Sequence, residues 1–322
     1  MTFENDNLPG PEDPTGGDLA HTGLAPSDQI QQPLNSAGER VREPVGSPVF
    51  TQGAEQQIAG ALPMPPAKQL PDDLRVPWDW LDLFILVMLA LGGTFVFLIL
   101  IMMVLSLFGI KPAQLQKNPD EWTFVAVFSQ ILLDLALLGY LAAQMRLRFR
   151  KPFWRTIGWR PLPGGAARGT LAFALICGGV LLAALVSAGS ALFPPKGPLP
   201  IEKILLARPT ALLFMVTAVL VAPVVEETIF RGYLYPVVAR AFGVGTGIVI
   251  TGALFGLLHS IQLWGGWWQI WLLIMVGIIF TWVRAATKTV AASWLLHISY
   301  NSVQVLALLI AMRGPRHFPF LH

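Results

Sequence analysis

Seven apolar stretches, each long enough to cross a bilayer as a helix, constrain this chain more than anything else in it. They run near 79–109, 122–145, 168–193, 209–239, 244–261, 267–284 and 289–312. A helix needs about 20 apolar residues to traverse the hydrocarbon core. In lipid every backbone polar group must find an internal partner, and long continuous runs meet that need as helices. The expected fold is therefore all-α: a polytopic transmembrane bundle of about seven spans, eight if the long fourth run is split. Only 13% of the 322 residues are charged, against about 25% in soluble domains, which fits the same class.

The ends differ from the middle. Residues 1–76 are rich in Pro, Gly, Gln, Asp and Ser, carry a net charge of −7, and show no sustained apolar period. Such a segment buries too little surface to offset its ordering entropy, so it is expected to be a disordered acidic tail. Its first thirty residues lack the basic start and apolar run of a cleaved signal peptide. The remainder carries +10, a balance that suits anionic lipid headgroups and not nucleic acid. Residues 77–160 are expected to hold two N-terminal spans and a basic loop, and 161–315 the transmembrane core. Arg146, Arg148, Arg150, Lys151, Arg155 and Arg160 crowd the connection after the second span. Basic loops stay in the cytoplasm, which places the tail there too, in a plasma (inner) membrane protein. Arg313 and Arg316 oppose that count. Trp78, Trp80, Trp122, Trp267, Trp268 and Trp271 fall at span edges and are expected in interfacial belts. Residues 201–206 suggest a short interfacial helix. Cys177 is the sole cysteine, so one chain can hold neither a disulfide nor a cysteine metal site.

Against this apolar background three ionised groups stand within six residues, Glu226, Glu227 and Arg231. A charge at membrane depth is costly and faces a protein interior or a water cavity. Glu227 and Arg231, four apart, share a helix face and suit each other as a pair. Glu226 lies about 100° round the helix and is left for another partner. Phe255 and His259 form a second pair four apart, with Gly252 and Gly256 offering a small-residue face to a neighbouring helix. The turn at 241–245 lies midway between Glu226 and His259. Two antiparallel helices meeting there would set these side chains at one depth. His297 and Asn301, again four apart, project from the last span.

A carboxylate beside an imidazole can take a proton from water, and imidazole or amide N–H groups can stabilise an oxyanion. Water-mediated amide hydrolysis is a coherent use of the set. So is an open metal site of Glu226, His259 and His297, although the His-Glu-x-x-His helix of many zinc proteases is absent. The plainer alternatives are a buried ion network that only holds helices together, and an ion-coupled transporter. No inverted repeat supports the latter.

The patterns Glu226-Glu227-Thr-Ile-Phe-Arg231, Phe255-Gly-Leu-Leu-His259 and His297-Ile-Ser-Tyr-Asn301 resemble, in this order, the marks of the CAAX protease and bacteriocin-processing (CPBP) family of intramembrane proteases. That family includes the type II CAAX prenyl endopeptidases. Gly232 also fits, and the resemblance covers about 209–305. It implies an endopeptidase acting on a membrane-anchored peptide or protein. Glu226 would activate water with His259, His297 and Asn301 would support the oxyanion, and Glu227, Arg231 and Phe255 would serve structure. A metal-free glutamate mechanism, needing no cofactor, fits these residues at least as well as a zinc-dependent one. The alternative it leaves is a non-catalytic membrane scaffold or immunity/regulatory protein of the same fold.

Overall fold

The computed structural model describes residues 71–313 apart from Gln116. Most of the expected acidic tail, residues 1–70, lies outside the described residues, as does Arg316. Helix makes up 83% of the structure and no strand occurs among the described residues, so the all-α expectation holds. Among the described residues seven helices are long and apolar enough to cross a membrane: α1 (Trp80–Leu107), α2 (Pro119–Arg148), α3 (Gly165–Leu192), α4 (Arg208–Phe242), α5 (Val244–Ile261), α6 (Trp267–Thr287) and α7 (Val290–Ile310). The fourth run is not split. It is one segment whose backbone passes through two π-helical turns. The short helix expected near 201–206 is a 3-10 turn, Pro200–Leu205.

Lipid-like packing governs the pairing of helices. With tails as apolar as leucine around them, membrane helices associate where small residues let backbones approach. Gly252 and Gly256 of α5 do so against Ile274 and Ile278 of α6. A Cβ on Gly256 would stand 2.6 Å from the Ile274 backbone nitrogen, closer than real contacts allow. On the other flank, Gly179 of α3 lets α7 approach, and a Cβ there would meet Tyr300 N at 3.1 Å. Gly256→Val should therefore cost about 1–3 kcal/mol by overpacking, read as a lowered unfolding midpoint in detergent. Gly92→Ala, with nothing within 4 Å of the added carbon, should cost nothing.

Two expectations from sequence need correcting. Trp78 is not a belt residue. It is fully buried, stacks on Tyr233 with ring centroids 4.8 Å apart, and donates its indole N–H to Tyr233 O at 2.9 Å. The expected tail also ends too late, because residues 71–76 are part of the folded body. Asp72–Leu74 form a 3-10 turn. Leu74 is buried against Tyr235 and Ala239, Asp73 pairs with Arg284 at 2.9 Å, and Arg240 donates to Val76 O and Trp78 O. This strap crosses from α1 to α4 and α6.

Asp79 then caps α1, accepting from the backbone of Leu81 and Asp82. Asp82 is itself buried. It accepts from Gln144 Nε2 at 3.0 Å and pairs with Arg148, while Tyr233 OH donates to Gln144 Oε1 at 2.7 Å. A second polar network thus joins α1, α2 and α4 through side chains that must be paired to be buried.

Candidate functional site

The site is built on α4, and proline shapes that helix. In its first π turn, Thr217–Val221, the Ala222 N–H reaches back five residues to Thr217 O; Pro223 follows. In the second, Glu227–Leu234, the Tyr235 N–H reaches Phe230 O, and Pro236 follows. Proline has no N–H to continue the ladder, and π turns of this kind recur at functional sites. Between the two prolines stand all three ionised groups.

Glu227 and Arg231 pair as their spacing predicts, at 2.9 Å, and both are fully buried. Arg231 also donates to Gly277 O (2.9 Å) and Thr281 Oγ1 (3.3 Å) of α6. Its guanidinium lies 4.3 Å from the centre of the Phe255 ring and 5.3 Å from that of Phe280. A buried cation is tolerable only when paired and hydrogen-bonded, and Arg231 has a carboxylate, two further oxygens and aromatic rings around it. Phe255 also packs against the rings of His259 and His297, at 5.0 and 5.8 Å. It is the apolar hub of the cluster.

His297 was expected to act alongside Asn301, but the structure sends the two to different partners. His297 Nδ1 lies 2.9 Å from Glu227 Oε1, so Nδ1 carries the hydrogen and donates it to the carboxylate. Its Nε2 faces Glu226 Oε2 at 3.7 Å. Asn301 donates from Nδ2 to Ala218 O at 2.7 Å, in the first π turn, and makes no hydrogen bond to either histidine.

His259 sits where α5 tightens into a 3-10 turn. Its backbone N–H bonds Gly256 O and Leu257 O, leaving Phe255 O for its own side chain, which lies 2.9 Å away through Nδ1. A carbonyl only accepts, so this Nδ1 too carries the hydrogen. Nε2 is left facing Glu226 Oε1 at 3.8 Å. The level placement of Glu226 and His259, argued from the turn between their helices, is what the structure has.

Glu226 thus stands between two imidazole nitrogens, each oriented by a bond from its other nitrogen. Glu226 and His259 keep 23% and 22% of their side-chain surface accessible, whereas Glu227, Arg231 and His297 are sealed at 0–3%. One carboxylate is locked in the frame and the other is reachable. Three acceptors facing one another at these distances repel unless a proton lies among them. The cluster therefore suits holding and passing a proton.

A zinc site would need Glu226, His259 and His297 to converge as ligands. Among the described residues no group of three or more His, Cys, Asp or Glu side chains is arranged to hold a metal ion.

Sequence reasoning left Asp134 without a role. It lies on α2, whose helix packs on the 222–226 segment that carries Glu226. Gln130 donates to it at 2.8 Å. A Gln–Asp pair four apart inside an apolar span was the available signal.

Residues 208–303 match the family model described as Rce1-like, the type II CAAX prenyl endopeptidase. The matched stretch runs from the start of α4 into α7 and contains every residue of the cluster. Neither a curated protein nor a solved structure matches the chain.

Proposed function

From a chain whose residues 208–303 carry the match to a type II CAAX prenyl endopeptidase model, we propose an intramembrane endopeptidase. It hydrolyses a peptide bond of a membrane-anchored peptide or protein, with Glu226 as the base. The observation that carries this reading is the accessible Glu226 carboxylate between His259 Nε2 and His297 Nε2, at 3.8 and 3.7 Å.

Glu226 takes a proton from water as the water oxygen attacks the scissile carbonyl carbon. His297, oriented by Glu227, in its doubly protonated form offers Nε2–H to the tetrahedral oxyanion. As the C–N bond breaks, the proton held between Glu226 and His259 passes to the leaving amine. Carboxylic acid and amine leave, and Glu226 is again a carboxylate. Glu227, Arg231 and Phe255 supply the rigid frame. The reading is metal-free and needs no cofactor. The basic loop Arg146–Arg160 and the positive-inside preference support a cytoplasmic side for the tail.

The test is cleavage of a library of membrane-anchored reporter peptides by the full-length protein in proteoliposomes. Cleavage should persist in a strong chelator, and His259→Ala should lower kcat about 10²–10⁴-fold, the usual worth of general acid–base groups. Loss of all activity on chelation, restored by zinc, would transfer Glu226, His259 and His297 to a metal.

A further inference from the structure

The turn that leads into Glu226 contains a carbonyl that neither the α nor the π ladder supplies with a donor, and that carbonyl is where Asn301 ends. As a helix passes from π to α register, Ala218 O could receive the N–H of residue 222 or of residue 223. The first is taken, since the Ala222 N–H goes to Thr217 O. The second does not exist, because residue 223 is proline. Asn301, reaching across from α7, supplies the missing donor through Nδ2 at 2.7 Å. Pro223 is buried and precedes Glu226 by three residues. The backbone whose gap Asn301 closes is the backbone that aims the carboxylate.

We propose that Asn301 is a positioning residue: its amide closes the hydrogen-bond gap opened by Pro223 and so fixes where Glu226 stands between His259 and His297. This rests on Glu226 being the base of the reaction. It assigns Asn301 a task other than the oxyanion support that the family resemblance implies. The partner of Asn301 is then Pro223, a residue with no chemistry of its own. An N–H restored at position 223 makes the Asn301 amide dispensable, whereas no backbone N–H in that turn could substitute for a donor to the reacting oxygen.

A double-mutant cycle tests this on the full-length protein: wild type, Pro223→Ala, Asn301→Ala and the double variant. Unfolding midpoints are read in detergent, and kcat and KM on the anchored reporter peptides. Asn301→Ala alone leaves a partly buried acceptor unpaired. It should lower Tm by about 3–6 °C and kcat about 10–100-fold with KM unchanged. The double variant should recover most of both losses. Additive effects on Tm overturn the pairing of Asn301 with Pro223. Recovery of Tm without recovery of kcat overturns the positioning role and returns Asn301 to the reacting atoms. Should Asn301→Ala fail to fold, the comparison becomes the double variant against Pro223→Ala. Equal turnover supports the proposal, and lower turnover overturns it. A wild type that cleaves no peptide defeats the hydrolase reading separately, and the unfolding midpoints then decide the pairing on their own.

Discussion

Glu226→Gln is expected to lower cleavage of anchored peptides about 10²–10⁴-fold, the range of a general base, while Tm stays within about 1 °C of wild type. Glutamine keeps the shape but cannot take a proton. The substitution leaves the frame alone because neither Glu226 oxygen is closer than 3.7 Å to an imidazole nitrogen. No short hydrogen bond to either imidazole is broken, and the side chain is reachable from outside the sealed cluster. Cleavage at wild-type rate by a folded Glu226→Gln protein would end the hydrolase mechanism. A folded, inactive variant with the expected Tm separates the base from the scaffold beneath it.

Arg231→Met should have the opposite character, destroying the fold before the chemistry. It strips Glu227 of its cation at a position with no access to water, and breaking a buried ion pair from one side costs about 3–5 kcal/mol. Set against a total stability of about 5–15 kcal/mol, that loss should appear as poor recovery from the membrane and aggregation in detergent. Removing the second charge as well should rescue much of it. In Glu227→Gln/Arg231→Met the glutamine carbonyl still accepts from His297 Nδ1 while no net charge remains buried. If the single variant were as stable as wild type, the Glu227–Arg231–His297 cluster would not hold the fold together.

Much of the site was legible because helices turn predictable spacings into shared faces. A spacing of four places Glu227 and Arg231 in contact, and a turn midway between Glu226 and His259 sets these two level. The split between His297 and Asn301 was not legible from the same spacing. One face can serve two layers of a neighbouring helix, and α7 meets both the second π turn, at Glu227, and the first, at Ala218. The π turns themselves leave no periodic trace in an apolar run, although each is followed by a proline that hints at a broken ladder. Trp78 and Asp73 were misjudged for a related reason. A tryptophan at a span edge and an acid in a polar, proline-rich stretch look identical whether or not a distant helix receives them. Their partners are Tyr233 and Arg284, 155 and 211 positions away.

Those separations bear on how the chain comes together during synthesis. At about 5–20 residues per second, the 211 positions between Asp73 and Arg284 represent about 10–40 s of translation. The first helix must enter the membrane long before its clasp exists. In the interval the Gln144–Asp82 bond, only 62 positions apart, can hold the first two helices as a hairpin. The strap meets the fourth helix first, through Tyr235 and Arg240, and closes once the sixth helix has emerged. Assembly is thus biphasic, an early hairpin and a late latch, and a ribosome stalled before Arg284 would hold an inserted but unlatched chain.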